Sequence, residues 1–251
     1  MYDNLIKNAS VIYGTAAPPY EAYLSVEGQK IADVGCLSPT DAALVIDARG
    51  HAVAPGFIDM HSHADFSLPI LPTADSLVHQ GITTVVVGQC GLSPAPLVGE
   101  SRGQVISGII VFIGYLQKSI PCNEWSCLED YLHFLAQRGC SLNVLPLIGQ
   151  GTIRAAVMGF GEGRANAHQM AEMQDLVVEA MQQGAIGLST GLIYPPGSFT
   201  STEELIELTK VVGDRNGFYF SHIRGEGDTL LEAIGEAIRI GRETGASVQI
   251  S

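Results

Sequence analysis

The order of apolar and polar positions divides the chain into two segments with different periodicity. Residues 1–54 contain short alternating runs separated by glycine and proline turns, as is typical of β-strands. One such run, 22–35, is interrupted at Glu27-Gly28, which predicts a β-hairpin. The pattern therefore predicts a small N-terminal β-domain over residues 1–54, or half of a β-sandwich.

From residue 55 to 251 apolar strand-like runs alternate with helical patterns. Strands alternating with helices indicate parallel βαβ units, and polar residues at the strand ends favour a (β/α)8 barrel, here truncated after about six strands. Residues 91–140 form an insertion long enough to hold a lid. An open doubly wound sheet is the alternative, although no glycine-rich phosphate loop follows the first strand. The predicted strands cover 56–61, 83–89, 143–148, 184–189, 217–222 and 246–251, and the predicted helices cover 71–80, 124–138, 166–183, 202–213 and 228–244.

Composition narrows the class of protein. With 46% hydrophobic and 16% charged residues the chain is typical of a globular protein with a sizeable core. The net charge of −13 argues against nucleic acid and anionic membrane surfaces as partners. Five scattered cysteines fit a reducing compartment and not a disulfide framework. No signal peptide or membrane-spanning run is recognised, so the sequence predicts a cytoplasmic protein.

Two histidines at the end of the first barrel strand point to a metal site. His61 and His63 are separated by one residue, so in an extended chain they share a face. Converging imidazoles are common ligands of divalent metals, whereas ordinary strand-end histidines bond to backbone carbonyls. Cys90 and His222 end later strand-like runs and would reach the same face of a barrel. Alone, each would more often be a core residue; together they are expected metal ligands.

Three further side chains are candidates for holding a substrate. Tyr194 lies in a loop after a predicted strand, where a phenol can bind a substrate or an oxyanion, or can pack on the following prolines. Arg154 and Arg224 have the forked donors that suit a carboxylate. Solvated ion pairs are the alternative for both arginines, with Glu226 as the expected partner of Arg224.

With these residues identified, the chain closely resembles the N-acyl-D-amino-acid deacylases (D-aminoacylases) of the amidohydrolase superfamily. Hydantoinases and dihydroorotases typically have a carboxylated lysine where this family has a cysteine, and no lysine here ends a predicted strand. The resemblance runs along the whole chain and is carried by the stretches APGFIDMHSH (54–63), GITTVVVGQCG (81–91), GLSTGLIYPPG (187–197) and SHIR (221–224).

The resemblance implies a zinc-dependent hydrolysis of the amide bond of N-acyl-D-amino acids, small-molecule substrates that yield a carboxylate and a D-amino acid. It implies a barrel beside a β-sandwich assembled from both chain ends. Cys90 and His222 would hold a tightly bound zinc, His61 and His63 a second, weaker metal position, and Tyr194 would contact substrate. Gln150 stands where a histidine is expected.

Family members continue beyond this point, and the resemblance places a further ligand histidine and the general-base aspartate beyond Ser251. No catalytic base is therefore expected in this chain, which we expect to be inactive alone. Two alternatives to the deacylase remain open. One is another amidohydrolase reaction, such as hydrolysis of cyclic amides of the hydantoin type. The other is a non-catalytic truncated product that acts as a binding partner.

Overall fold

The computed structural model describes residues 2–35, 42–98, 102–103, 105–107 and 120–251 of the chain. Its contacts divide into two compact units, Met1–Phe57 and Ile58–Ser251. Part of the predicted insertion at 91–140 lies outside the described residues, as does Cys36. No helix in the described ranges is long and apolar enough to cross a membrane.

The first unit is built on one mixed β-sheet. Strands β1 to β4 are hydrogen-bonded in the order β3-β2-β1-β4, and β5 pairs with the far end of β1. The β2–β3 pair is antiparallel, which confirms the predicted hairpin. Its turn follows Glu27, and Gly28 has a positive φ that only glycine adopts without strain. The strands are β1 (Tyr2–Val11), β2 (Tyr20–Glu27), β3 (Lys30–Gly35), β4 (Ala42–Asp47) and β5 (Ala52–Val53).

The second unit contains the predicted series of parallel strands. They neighbour one another in chain order, β6-β7-β8 and then β9-β10-β11-β12. Leu147, between β8 and β9, donates its N–H to Val87 and so joins the two sets of strands. This arrangement belongs to the (β/α) barrel fold. The strands are β6 (Phe57–Asp59), β7 (Ile82–Val87), β8 (Asn143–Pro146), β9 (Ile148–Gly149), β10 (Gly187–Gly191), β11 (Phe218–His222) and β12 (Ser247–Ile250).

Four of the five predicted helices form close to their predicted bounds. Asn166 and Ser201 each make a capping box with the third helical residue of α4 and α5, which fixes where these helices begin. Gly139 and Gly245 end α2 and α6 in the left-handed conformation. Among the described residues, the helices to compare with these predictions are α1 (Asp75–Val78), α2 (Leu128–Arg138), α3 (Gln150–Met158), α4 (Ala167–Gln182), α5 (Thr202–Gly213) and α6 (Leu230–Thr244).

One predicted helix was wrong, and one helix was not predicted. The predicted helix 71–80 is a single turn, α1, because residues 71–74 form a β-turn closed by the Ala74 N–H and the Leu71 carbonyl, and Ala74 has a left-handed backbone. Conversely, α3 was not predicted. It follows β9 directly, begins with Gln150 and Gly151, and lacks a capping side chain. Its sequence therefore carries no start signal, and burial of its first six residues against the strands stabilises it instead.

The two faces of the strands pack into different hydrophobic clusters, one against the helices and one inside the barrel. Val85 and Val87 of β7 pack among the residues of the helices, whereas Val86 packs with Leu147 and Phe220 in a small separate cluster. Because strand side chains alternate, His222 shares the face of Phe220. The parallel directions of β6, β7 and β11 bring their C-terminal ends to one end of the barrel.

Candidate metal centre

The C-terminal ends of three strands bring four predicted ligands together. His61 and His63 follow β6, Cys90 follows β7, and His222 is the last residue of β11. Ligand atoms of His61, His63 and Cys90 all lie within 4.8 Å of one another. Parallel strands far apart in sequence thus deliver imidazole and thiol groups to one point.

Cys90 lies between two imidazoles. Its Sγ is 3.5 Å from Nε2 of His61 and 3.4 Å from Nδ1 of His222. Zn–S and Zn–N bonds of about 2.3 and 2.0–2.1 Å at a tetrahedral angle separate a sulfur from a nitrogen ligand by about 3.6 Å. The observed separations match that value, so the nitrogen and sulfur donors fit a zinc ion.

The backbone of Cys90 adopts an uncommon conformation. Its φ is +55°, and Gly88 and Gly91 on either side also have positive φ. A non-glycine residue in the left-handed region costs about 1 kcal/mol or more and persists only where its surroundings impose it. Asp65 Oδ2 accepts the N–H of Gly88 at 3.0 Å, and Ser189 Oγ accepts the N–H of Gly91 at 3.1 Å. These two bonds hold the turn that presents the thiol.

Glycines let the Cys90 turn lie directly on neighbouring backbone. A Cβ on Gly191, the last residue of β10, would overlap the carbonyl oxygen of Cys90. A Cβ on Gly149 would lie 2.5 Å from the carbonyl oxygen of Gly91. Both distances are shorter than any real Cβ contact, so the strand ends under the turn require glycine.

Burial governs the protonation of the cluster. It lowers the pKa of both His61 and His63, with nearby imidazoles adding to the effect, so both rings are neutral near pH 7. Burial also raises the pKa of Cys90 to about 11, helped by Asp65 and Glu226. A thiolate is therefore disfavoured in the protein alone and requires a cation beside it.

The predicted substrate residue lies beside the cluster. The ring of Tyr194 packs edge-on against His222 with centroids 5.1 Å apart. Burial raises the pKa of Tyr194, as do the nearby Cys90 and Glu226, so the phenol keeps its proton and can donate a hydrogen bond. Tyr194 begins the loop that continues through the 3-10 turn Gly197–Phe199 to Thr200.

The structure does not leave the two candidate arginines free to bind a substrate carboxylate. Arg154 is fully buried, and its Nη1 lies 3.5 Å from Oε1 of Glu204. Arg224 makes bonds of 2.9–3.0 Å to both carboxylate oxygens of Glu236, so the expected pairing with Glu226 was wrong. Both arginines tie elements of the barrel together.

Gln150 is a buried anchor of the Tyr194 loop. It is the first residue of α3, and its Nε2 donates to Oγ1 of Thr200 at 2.8 Å. Its side chain is fully buried and lies beside Gly197, where an added Cβ would lie 3.3 Å from the amide oxygen. Gln150, at the position where a histidine was expected, thus connects the start of α3 to Thr200 at the end of the Tyr194 loop.

Sequence reasoning missed three side chains that support the cluster. Asp65 and Ser189 hold the Cys90 turn, and Oε1 of Glu226 lies 3.3 Å from Nε2 of His222. Asp65 lies only two residues beyond His63, and its burial raises its pKa to about 8. Glu226 likewise lies four residues beyond His222, but Ser189 is far from every predicted ligand in the chain and carried no such signal.

Comparison with known proteins identifies relatives of the fold and of the sequence. A model of the amidohydrolase family matches residues 44–243. D-aminoacylase of Alcaligenes xylosoxydans xylosoxydans is 37% identical over 250 residues, covering 100% of this chain and 50% of the relative. The chain thus spans about half the length of the curated relatives it matches.

Two solved structures are similar over nearly the whole chain. The crystal structure of D-aminoacylase superimposes with a TM-score of 0.88 at 37% identity, covering 100% of this chain and 51% of the other. N-acyl-D-glutamate deacylase from Bordetella bronchiseptica, in complex with zinc and a phosphonate inhibitor that mimics the tetrahedral intermediate, gives 0.84 at 34% identity. That match covers 98% of this chain and 50% of the other.

Proposed function

The chain belongs to the amidohydrolase family, and from this premise we propose that the protein is a zinc-dependent deacylase of N-acyl-D-amino acids. The observation that carries the proposal is the thiol of Cys90 at 3.4–3.5 Å from two imidazole nitrogens. The similarity to D-aminoacylase and to the zinc-bound N-acyl-D-glutamate deacylase supports both the metal and the substrate class.

The described side chains have distinct roles in this proposal. Cys90 and His222 hold the zinc tightly, and His61 and His63 provide a second, weaker position. A bound zinc would polarise the scissile carbonyl and acidify a water molecule. Tyr194, beside His222, donates its phenol hydrogen to the carbonyl oxygen of the substrate and orients the amide. The buried walls around Cys90 exclude bulk water and strengthen these polar contacts.

Hydrolysis of cyclic amides is the second candidate, since hydantoinases share the barrel fold. The resemblance assigns a carboxylated lysine to those enzymes, but none of the three lysines among the described residues ends a barrel strand. Lys7 and Lys30 belong to the first unit, Lys210 lies in α5, and Lys118 falls in the insertion, outside the described residues. Cys90 follows β7 and is the cysteine that the resemblance to the deacylases expects in place of that lysine.

The intact protein should be assayed with matched pairs of N-acetyl-D- and N-acetyl-L-amino acids that carry apolar, Asp and Glu side chains, and with hydantoins. We expect release of free amine from D-substrates only, loss of activity after dialysis against a chelator, and recovery on addition of zinc. Turnover of hydantoins alone would reject the deacylase, and turnover that resists exhaustive chelation would reject the zinc mechanism.

A further inference from the structure

The ring of His222 has two nitrogens with different surroundings. Nδ1 faces Sγ of Cys90 at 3.4 Å, on the side where the proposed zinc would be bound. Nε2 is buried, and Oε1 of Glu226 lies 3.3 Å from it. If Nδ1 binds a metal, Nε2 must carry the hydrogen of the neutral ring, and that hydrogen needs an acceptor.

The loop after β11 is built so that Glu226 turns back toward His222. The backbone of Gly225 lies directly against the hydroxyl of Thr229, which an added Cβ would displace. The preceding Arg224 is fixed by Glu236 of α6 and by the carbonyl oxygens of Ser198 and Thr200. The backbone on the N-terminal side of Glu226 is therefore anchored, although 64% of the Glu226 side chain is exposed.

We infer that Glu226 is a positioning residue that accepts the Nε2 hydrogen of His222 and so directs the Nδ1 lone pair toward the metal. The inference rests on the proposed zinc centre. The Nε2–Oε1 separation of 3.3 Å is an ion-pair distance without regular hydrogen-bond geometry. The exposed glutamate needs only a small rotation to complete this bond, which forms before metal binding and fixes the tautomer in advance. Carboxylates that orient metal-bound imidazoles in this way raise ligand basicity and fix the tautomer.

Zinc dissociation constants of the metal-free intact protein should be measured by competition with a chromophoric chelator. Glu226→Ala is expected to raise the constant of the tight site roughly 10- to 100-fold, as for other outer partners of metal ligands. Glu226→Gln keeps an acceptor but loses the charge, so its constant should fall between those of the wild type and Glu226→Ala. Asp228→Ala is the matched control, since Asp228 is an exposed acid of the same loop without an ion pair in the described part of the chain.

A second measurement separates positioning from a general effect on folding. In the metal-free wild type, nitrogen NMR of labelled histidine should report His222 as the tautomer with hydrogen on Nε2, and Glu226→Ala should populate both tautomers. The metal-free variant should melt at the wild-type temperature. Equal zinc constants for Glu226→Ala and wild type would overturn the inference while leaving the zinc centre intact, whereas a wild type that binds no zinc would overturn both.

Discussion

Cys90 combines a strained backbone with a thiol that is poorly ionised in the protein alone. The positive φ is held by hydrogen bonds that Asp65 and Ser189 accept from the N–H groups of Gly88 and Gly91. Burial raises the pKa of the thiol to about 11. The raised pKa follows from burial, but a left-handed backbone at a non-glycine residue does not stabilise the fold, so we relate that backbone to what the thiol would bind.

Replacement of Cys90 by Ser should abolish tight zinc binding. A serine hydroxyl keeps its proton near neutral pH and is a poor ligand for zinc, so the loss should exceed the roughly 10- to 100-fold effect of an outer partner. Cys127→Ser is the control, because Cys127 lies at the N-cap of α2, where serine is favoured. Zinc content after gel filtration measures the difference, and equal content in both variants would exclude Cys90 as a ligand.

Zinc binding should release a proton from Cys90. The folded, metal-free thiol has a pKa of about 11, so between pH 6.5 and 8.5 it is protonated and must ionise to bind. His61 and His63 have lowered pKa values and contribute little there. Apparent affinity should rise about tenfold per pH unit, because each bound zinc displaces one proton.

Calorimetric titrations in two buffers with different ionisation enthalpies would count that proton directly. The expected number is close to one per zinc at the tight site. A count of zero at pH 7 would mean that the thiol is already ionised, or that it is not a ligand.

At the scale of elements, the strand ends around the Cys90 turn are joined by backbone-to-backbone contact. Gly191 of β10 and Gly149 of β9 each lie against the carbonyl oxygens of this turn. This close approach makes the position of the thiol depend on the ends of two neighbouring strands, and not only on β7.

A methyl group at the end of β10 should disturb the centre. Gly191→Ala would place a Cβ on the carbonyl oxygen of Cys90, and overpacking of this kind costs about 1–3 kcal/mol or more. Gly235→Ala is the matched control within α6, where an added Cβ meets nothing within 4 Å, and it should stabilise by about 0.5–1 kcal/mol. Urea unfolding measures the free energy of unfolding of both variants, which should fall in Gly191→Ala and rise in Gly235→Ala. Equal changes in the two variants would contradict the close contact.

The elements differ in how well the sequence predicts them. Helices α4 and α5 carry capping signals, Asn166 with Gln169 and Ser201 with Glu204, and both were found. Helix α3 has no such signal and depends on burial between strands, which no local pattern reports. The predicted helix at 71–80 has apolar spacing, but its first residues form a β-turn that ends in the left-handed Ala74, so only one helical turn follows.

Across the whole molecule, a metal would bridge strands that are distant in sequence. Cys90 follows β7 and His222 ends β11, so the tightly bound ion would crosslink residues that are 132 positions apart. A ligand that binds only the folded state stabilises it in proportion to the logarithm of its concentration. The proposed zinc should therefore contribute to global stability as well as to chemistry.

Chelation should lower the melting temperature of the intact protein. At free zinc about 100 times its dissociation constant, the stabilisation is about 2.7 kcal/mol, or roughly 5–10 °C for a unit of this size. Differential scanning calorimetry with and without chelator measures the shift. In Cys90→Ser the shift should disappear, and a full shift in that variant would assign the stabilising metal to another site.

The candidate ligands could be predicted from the sequence, whereas the side chains that hold the site in place could not. The ligands of the candidate centre end apolar strands, so their convergence follows from the parallel fold. Glu226 could not be found this way, because it is an exposed acid in a loop and its approach to His222 depends on the turn at Gly225. The partner of Arg224 was missed for a similar reason: Glu236 lies on α6 and meets the arginine only in three dimensions.

The left-handed backbone at Cys90 also limits which residues can replace the cysteine in evolution. Among residues other than glycine, asparagine and aspartate tolerate this conformation best. A lineage that loses the thiol should therefore drift more readily to Gly, Asn or Asp than to Ala or Val. Of these, aspartate would exchange a sulfur for an oxygen ligand with the turn intact, so one substitution could move the centre from soft toward harder metals.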